Sequence, residues 1–213
     1  MISKMADRLP IVVFLLVFTS VAQVSDPAEF HWDWHKWQEL SWKQSISRRD
    51  LPGAQKSKLI DTIVPQIREW REDVPDKKLR DIAAETRIAF VNLSGHGRNE
   101  VIAQGGGEKF SCSPTGNCPF WVLRRERDGY HIILSASSKQ TFTIQPTKTN
   151  GLHDLVLGMH GSAFEAGLTL YKFDGSEYRD FACFDANWEV TDEKGELRHF
   201  KEPRITPCGK KSL

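Results

Sequence analysis

The stretch RIAFVNLSGHGRNEVIAQ, residues 87–104, decides the fold of this chain. Its two ends, RIAFVNL and NEVIAQ, are rich in β-branched and other apolar residues, a composition typical of strands. The SGHG between them contains two glycines, which accept the backbone conformations that a tight turn requires. The stretch therefore predicts two paired strands joined by a turn.

Strand and turn signals alternate along most of the chain after this stretch. The dipeptides Asp128-Gly129, Asn150-Gly151 and Asp174-Gly175 are turn signals, and each separates two apolar segments. About eight strands at such short spacing predict antiparallel sheets. The six further strand segments are PFWVLRRE, YHIILSA, QTFTIQP, HDLVLGMH, LTLYKF and EYRDFACF.

An internal repeat divides this β region into two related four-strand units. Each copy contains a glycine turn, an acid three residues later, an apolar strand and an Asp-Gly turn. Two units are too few to close a ring of propeller blades, so they should face each other as a sandwich or be covered by helices. The matching positions are Gly97 with Gly151, Glu100 with Asp154, and Asp128-Gly129 with Asp174-Gly175.

The region before the strands is charged, rich in tryptophan and helical in its spacing of apolar residues. Three amphipathic helices are predicted, in EFHWDWHKWQELSWKQS, KSKLIDTIVPQIREWRED and VPDKKLRDIAAETR. Pro65 should kink or break the second one, since proline cannot donate the helical hydrogen bond. The fold class is therefore α+β, with a helical region over 23–85 and an antiparallel β-domain over 86–213.

Residues 1–22 read as a secretory signal peptide. MISKMADR is mildly basic, LPIVVFLLVFTSVA is apolar but short for a bilayer span, and small residues precede the expected cleavage after Ala22. Cleavage would leave 27 basic and 27 acidic residues, from 29 and 28, and no membrane span. A net charge of zero gives no field for nucleic acid. We expect a secreted or periplasmic protein.

Four cysteines in a secreted chain predict two disulfides. Three pairings can form. We favour Cys112–Cys118, because CSPTGNC is a tight loop with Pro114 and Gly116 to turn it, which leaves Cys183–Cys208.

The turn after the first strand has the shape of a calcium-binding loop. Asn92, Ser94 and Glu100 stand at positions 1, 3 and 9 of such a loop and are its candidate metal ligands. Only Glu100 is charged, and His96 offers nitrogen where calcium prefers oxygen. The competing interpretation is a turn in which Asn92 caps the loop and Glu100 accepts backbone N–H groups. No other cofactor is indicated.

NLSGHGRNEVI resembles the loop of FG-GAP and VCBS repeats in extracellular β-propellers. With CSPTGNCPFW and TKTNGLHDLVL, it also resembles uncharacterised secreted bacterial proteins that carry a DLNGDGxxE-type segment. The resemblance covers roughly residues 86–184. It implies a secreted β protein and supplies no activity.

Two features are candidates for ligand binding. Trp32 and Trp42 fall off the apolar face that Phe30, Trp34 and Trp37 form, and exposed tryptophan would suit stacking on a sugar ring or a protein partner. Burial of the tryptophans against the sheet is the alternative. GGGEKF, with Glu108 and Lys109, reads as an unconstrained surface loop and a candidate binding edge.

These observations favour a secreted or periplasmic, non-enzymatic protein that binds an envelope protein or a glycan, because no convergent catalytic set is evident. A cell-envelope hydrolase using His153, Asp154 or His160 is one alternative, although no nucleophile elbow accompanies them. A calcium-stabilised structural module is the other.

Overall fold

The computed structural model describes residues 44–97, 100–105, 110, 112–138 and 141–209. Within this part of the chain, two helices precede nine strands. The helices are α1 (Gly53–Arg68) and α2 (Asp76–Ala84). The strands are β1 (Arg87–Val91), β2 (Glu100–Gln104), β3 (Cys118–Arg125), β4 (Tyr130–Ser138), β5 (Thr141–Thr149), β6 (Leu152–His160), β7 (Glu165–Phe173), β8 (Tyr178–Thr191) and β9 (Leu197–Pro207).

The strands form two antiparallel sheets in which each strand pairs with its neighbours in sequence. Sheet A has the order β1-β2-β3-β4, and sheet B has the order β5-β6-β7-β8-β9. Two of the three predicted helices and the antiparallel strands after them are thus confirmed, although the described part of the chain is mostly β and α+β describes it only loosely. The sheets contain four and five strands, so the expectation of about eight strands in two four-strand units misses one strand.

The strand that the sequence does not reveal is β9. Its sequence, LRHFKEPRITP, is highly charged and contains two prolines, so it lacks the apolar alternation of a half-buried strand. It pairs only with β8 and lies at the edge of sheet B, where charged residues and proline are tolerated.

Three layers build the core. One face of sheet A packs against α1 and α2, through residues such as Leu59, Ile63 and Trp121. Its other face, the inner face, packs against sheet B, and the rings of Phe120 and Phe142 lie 5.5 Å apart there. Both arrangements expected from the sequence, a sandwich and a helical cover, therefore occur together.

Helix α1 runs through Pro65 and ends three residues later, so the predicted break does not occur there. Pro65 lies on the exposed side of the helix, where water can reach the carbonyl group left without a partner. Leu59, Ile63 and Ile67 are buried at the predicted helical spacing.

The predicted helical region, 23–85, is described from residue 44 onward. Its first described residues lie along the edge of sheet A, where Ser45 bridges to Arg87 of β1 and the Ile88 amide donates to the Gln44 carbonyl group at 3.2 Å. The helix predicted in EFHWDWHKWQELSWKQS, which contains Trp32 and Trp42, lies outside the described residues apart from its end.

Both predicted disulfides are confirmed. Cys112 and Cys118 close the short loop before β3, and Cys183 joins β8 to Cys208 just after β9. Disulfides are typical of an oxidising, extracytoplasmic compartment. In the described part of the chain, neither helix is both long and apolar enough to cross a bilayer.

Candidate functional site

The loop between β1 and β2 holds itself together through its own backbone. The Asn92 Oδ1 atom accepts hydrogen bonds from the Gly95 amide at 2.8 Å and the Gly97 amide at 3.3 Å. Ser94 Oγ accepts from the His96 amide at 3.3 Å. Gly95 and Gly97 have φ values of 85° and 126°, which glycine adopts without strain. Two of the candidate metal ligands therefore serve as turn-forming acceptors.

The third candidate ligand, Glu100, lies in the core and not in the loop. Its side chain is fully buried, and Oε2 accepts a hydrogen bond from the Leu93 amide at 3.0 Å. Among the described residues, no group forms a hydrogen bond with Oε1. Glu100 thus ties the loop to β2 from the core side. A buried acid that accepts a backbone N–H group is what the turn interpretation of this stretch predicts.

The matching loop of the second unit docks onto the first one. Lys148 Nζ donates to the Ser94 carbonyl group at 3.0 Å, and the His153 amide donates to the Leu93 carbonyl group at 2.9 Å. The ammonium group of Lys148 thus supplies a positive charge at this loop. The two loops form a joint that connects sheet A to sheet B.

The second loop has its own buried acid. Asp154 is 2% exposed, and its Oδ2 atom accepts a hydrogen bond from Thr147 Oγ1 at 2.7 Å. Its position in the repeat matches that of Glu100, and Thr147 matches Leu93. In each unit, therefore, a buried acid accepts a hydrogen bond from the second residue of its loop.

Tyr178 completes the joint. Its hydroxyl group donates to the His153 carbonyl group at 2.7 Å. Burial raises the pKa of Tyr178, and the nearby acids Glu100 and Asp154 raise this pKa further. Because Tyr178 and both acids are buried, no substrate can reach them, and the joint is a structural element.

The structure does not bring together the three residues of the hydrolase hypothesis. His160 lies six residues beyond Asp154 on β6, a separation of about 20 Å at ordinary strand rise. His153 Nδ1 donates a hydrogen bond to the Gln145 carbonyl group at 2.7 Å. His160 instead contacts the disulfide loop, where its Nδ1 atom lies 3.3 Å from the Thr115 carbonyl oxygen.

The inner face of sheet B is only partly covered by sheet A. The apolar layer between the sheets reaches β7 and β8 only near their shared turn, at Tyr171, Phe173 and Tyr178. Farther along these strands, the inner face is open. We call this open area the shelf. It is formed by Met159, Phe164, Glu165, Gly167, Thr169, Cys183, Asp185, Asn187, Glu189 and His199.

Strand register places the shelf residues on one face. Met159 pairs with Gly167, and Gly167 pairs with Asp185. Partners in an antiparallel pair present their side chains to the same side of the sheet. Since the side chain of Leu157 points into the layer between the sheets, Met159 and its partners belong to the same inner face.

Two large apolar side chains are exposed on the shelf. Met159 is 44% exposed and Phe164 is 43% exposed. Phe164 is held in place by its surroundings: the Trp188 amide donates to its carbonyl group at 2.9 Å, and its ring meets the His199 ring edge-on at 5.7 Å. An ordered, exposed aromatic ring of this kind is suited to contact a partner.

Three acids, Glu165, Asp185 and Glu189, surround these apolar side chains on the same face. Glu189 is paired with His199, whose Nδ1 atom lies 2.7 Å from Glu189 Oε1. Arg204, which pairs with Asn187 in the sheet, is the basic residue at this rim. The shelf is therefore apolar at its centre and mainly acidic around it.

The disulfide loop borders the shelf at the end of β6. The Asn117 side chain pairs with the His160 backbone, donating to its carbonyl group at 2.9 Å and accepting from its amide at 2.8 Å. The Cys112–Cys118 bond closes this loop. The loop that follows the GGGEKF segment is thus fixed against sheet B.

Trp32, Trp42, Glu108 and Lys109 lie outside the described residues. The sequence does not predict Met159 and Phe164 as contact residues. Met159 lies near the end of a buried strand, and Phe164 lies within a polar turn, HGSAFEAG. The apolar residue in that turn is the signal that could have indicated an exposed contact.

A second polar cluster lies at the turn between β3 and β4. Within the described residues, Glu126, Asp128 and His131 are the one group whose ligand atoms could share a metal ion, and all three are exposed. The hydrogen bond that His131 donates to Asp128 raises the pKa of His131 and lowers the pKa of Asp128. The three side chains therefore lie together because His131 pairs with the acids, and this ion pair stabilises the turn.

A scan against protein-family models, a search of curated proteins and a search of solved structures each found no match to this chain. Its function must therefore be argued from its own geometry.

Proposed function

We propose that this chain is a secreted or periplasmic, non-enzymatic binding protein whose shelf binds a protein partner with apolar and basic side chains. The exposed pair Met159 and Phe164, ringed by acids, is the observation that supports this proposal. Methionine adapts its shape to a partner and phenylalanine provides rigid contact area. The acids favour basic partner residues and disfavour acidic ones.

A protein partner suits the shelf better than a glycan. Sugar binding relies on flat aromatic surfaces and many uncommitted polar groups. Among the described shelf residues, Phe164 is the one aromatic side chain outside the histidine, and it presents its face beside His199. An envelope glycan therefore becomes an alternative outcome of the experiment below.

The experiment begins with a displayed library of random peptides selected on the oxidised mature protein, residues 23–213. We expect enrichment of peptides that combine basic and large apolar residues. Their binding should weaken as salt concentration rises, because salt screens the attraction of the acidic rim. A parallel array of envelope glycans tests the alternative ligand class.

Substitutions then locate the binding surface. Met159→Ser and Phe164→Ser should each weaken peptide binding by roughly tenfold or more, as expected for residues at the centre of an interface. Phe181→Ser is the matched control, because Phe181 is 36% exposed on the same sheet but lies outside the shelf, where the Lys172 ammonium group covers its ring. Equal binding by all three variants, or enrichment of acidic peptides, would contradict the proposal, and binding to glycans alone would replace the proposed partner.

A further inference from the structure

A small cavity lies between the start of α1 and the turn that joins β3 to β4. Its volume is about 260 Å³. Helix α1 contributes one wall, with Gln55 and Lys58, and the turn contributes the other, with Arg125, Arg127 and Tyr130. Pockets for drug-sized ligands begin at about 300 Å³, so this cavity fits a small ion or a head group. It belongs to the helix side of sheet A, whereas the shelf belongs to sheet B.

Strand geometry directs a basic side chain towards this cavity. Trp121 and Leu123 of β3 pack against the helices. Since side chains alternate along a strand, Arg125 continues the same face. Arg125 also pairs with Tyr130 of β4, which is in the same helix-facing layer. The end of β3 therefore presents Arg125 beside Tyr130, on the side where α1 lies.

Positive charge predominates among the residues that line the cavity. Lys58, Arg125 and Arg127 line it, and Glu126 is the one acid among its described lining residues. Glu126 lies beside a base of its own, with 3.7 Å between its Oε2 atom and His131 Nε2. No described residue forms an ion pair or a hydrogen bond with the guanidinium group of Arg125 or Arg127. The donors of both guanidinium groups are thus uncommitted within the described part of the chain.

Two further donors reach the same space. Tyr130 is only 7% exposed, and its hydroxyl oxygen accepts a hydrogen bond from Gln55 Nε2 at 2.8 Å. Among the described residues, none accepts the hydrogen of this buried hydroxyl group. A buried donor without an acceptor is costly, so a ligand that brings an oxygen atom would be stabilised there. Lys58 Nζ uses one of its three donors on the Asp128 carbonyl group, at 3.2 Å.

We propose that this cavity binds a phosphate group through Lys58, Arg125 and Arg127, with the Tyr130 hydroxyl group as a further donor. A phosphate monoester carries nearly two negative charges and three acceptor oxygens, which matches three cations better than a carboxylate does. Guanidinium groups bind such oxygens in pairs, and an ammonium group adds a point charge. The phosphate belongs either to a soluble molecule or to a lipid headgroup, since both present the same chemistry.

Titration of the oxidised mature protein, residues 23–213, with inorganic phosphate tests the site. Amide NMR spectra follow the titration, and sodium chloride at matched ionic strength is the control for general charge effects. For a soluble ligand we expect saturable shifts in the signals of Gly129 and Tyr130, which line the cavity.

A charge-matched pair of variants locates the binding. Arg125→Gln/Arg127→Gln should weaken phosphate binding by about tenfold or more, because it removes charge-assisted hydrogen bonds. Lys77→Gln/Lys78→Gln is the control, since it also removes two positive charges, from exposed positions on α2 outside the cavity. Both arginines are exposed, so the fold should be retained, and equal melting temperatures of the two variants check this.

A second probe distinguishes the two sources of phosphate. Vesicles of phosphatidylcholine that contain phosphatidic acid present a phosphate monoester, and pure phosphatidylcholine vesicles are their control. Arginine-dependent binding of inorganic phosphate supports a soluble ligand, and arginine-dependent sedimentation with the phosphatidic acid vesicles alone supports a lipid headgroup. Binding to neither probe, or an equal loss in the two double variants, would overturn the proposal.

Discussion

Single residues fix the conformation of the loops in this protein. Phe110, in the insertion before β3, is buried directly against Gly105 at the end of β2. A Cβ atom at Gly105 would lie 2.6 Å from the Phe110 ring. Glycine is therefore required there for close packing, although its backbone conformation is open to other residues.

Substitution of this glycine should lower stability. We expect Gly105→Ala to reduce the free energy of unfolding by about 1–3 kcal/mol, because the buried Phe110 ring must move to accept the methyl group. Gly167→Ala is the control, since a Cβ atom there meets nothing within 4 Å. Urea denaturation followed by fluorescence measures both, and a loss as small for Gly105→Ala as for Gly167→Ala would contradict this packing.

Residue contacts also determine the response of the first loop to metal. Asn92 Oδ1 already accepts two amide hydrogen bonds, and the Ser94 carbonyl group already accepts one from the Lys148 ammonium group. We expect the melting temperature to be the same in millimolar calcium and in chelator. Sodium chloride at matched ionic strength is the control. A rise in calcium alone would show binding to the native state and restore Asn92, Ser94 and Glu100 as a metal site.

At the scale of elements, the two disulfides have different tasks. Cys112–Cys118 closes a loop within seven residues and presents Asn117 to the end of β6. Cys183–Cys208 spans 25 positions and ties β8 to the chain just after β9. The second bond secures an edge strand whose own sequence has little apolar content to hold it.

Removal of the longer-range disulfide should cost more stability. Loop-closure entropy predicts a loss of about 3.5 kcal/mol for Cys183→Ser/Cys208→Ser and about 2.4 kcal/mol for Cys112→Ser/Cys118→Ser. Thermal unfolding of the two double variants provides the comparison. A greater loss from the shorter bond would mean that docking of its loop on His160 outweighs chain entropy.

At the scale of the whole molecule, the paired loops hold the two sheets together. The Tyr178 hydroxyl group donates to the His153 carbonyl group, the His153 amide donates to the Leu93 carbonyl group, and the Leu93 amide donates to Glu100. This series connects β2 of sheet A with β8 of sheet B, and its ends are buried. The internal repeat thus has a structural consequence, because each unit supplies one loop of the joint.

Ionisation of Tyr178 should weaken this joint at high pH. Its pKa in the folded chain is raised, so it contributes stability that is complete below pH 10, the value of free tyrosine, and is lost as pH rises further. Tyr178→Phe should be less stable at pH 8 by about 1 kcal/mol, through loss of one hydrogen bond. Its stability should fall less steeply above pH 10 than that of the parent protein.

Urea unfolding of both proteins between pH 8 and pH 11 measures this difference. Lysine ionisation is common to the two proteins, so the comparison isolates the tyrosine. Parallel stability curves above pH 10 would show that the Tyr178 hydroxyl group ionises as readily in the folded chain as in the unfolded one.

The sequence by itself determined the elements whose signals lie between near neighbours. Apolar spacing located α1 and α2, glycine turns located eight of the nine described strands, and loop length favoured the disulfide pairing that the structure contains. These features depend on local backbone preference and short loop closure. The loop at Asn92 contains the hydrogen bond of a turn, and the missing carboxylates that favour this interpretation are visible in the sequence.

Only the tertiary structure decided which faces are covered. The shelf exists because sheet A covers one part of the inner face of sheet B, and nothing local to Met159 or Phe164 encodes that limit. The docking of Lys148 on Ser94 joins residues 54 positions apart. Strand β9 forms because β8 offers it an edge, in spite of its charged sequence. Contacts of this kind depend on how the layers stack, so they arise from packing and not from the pattern of any one segment.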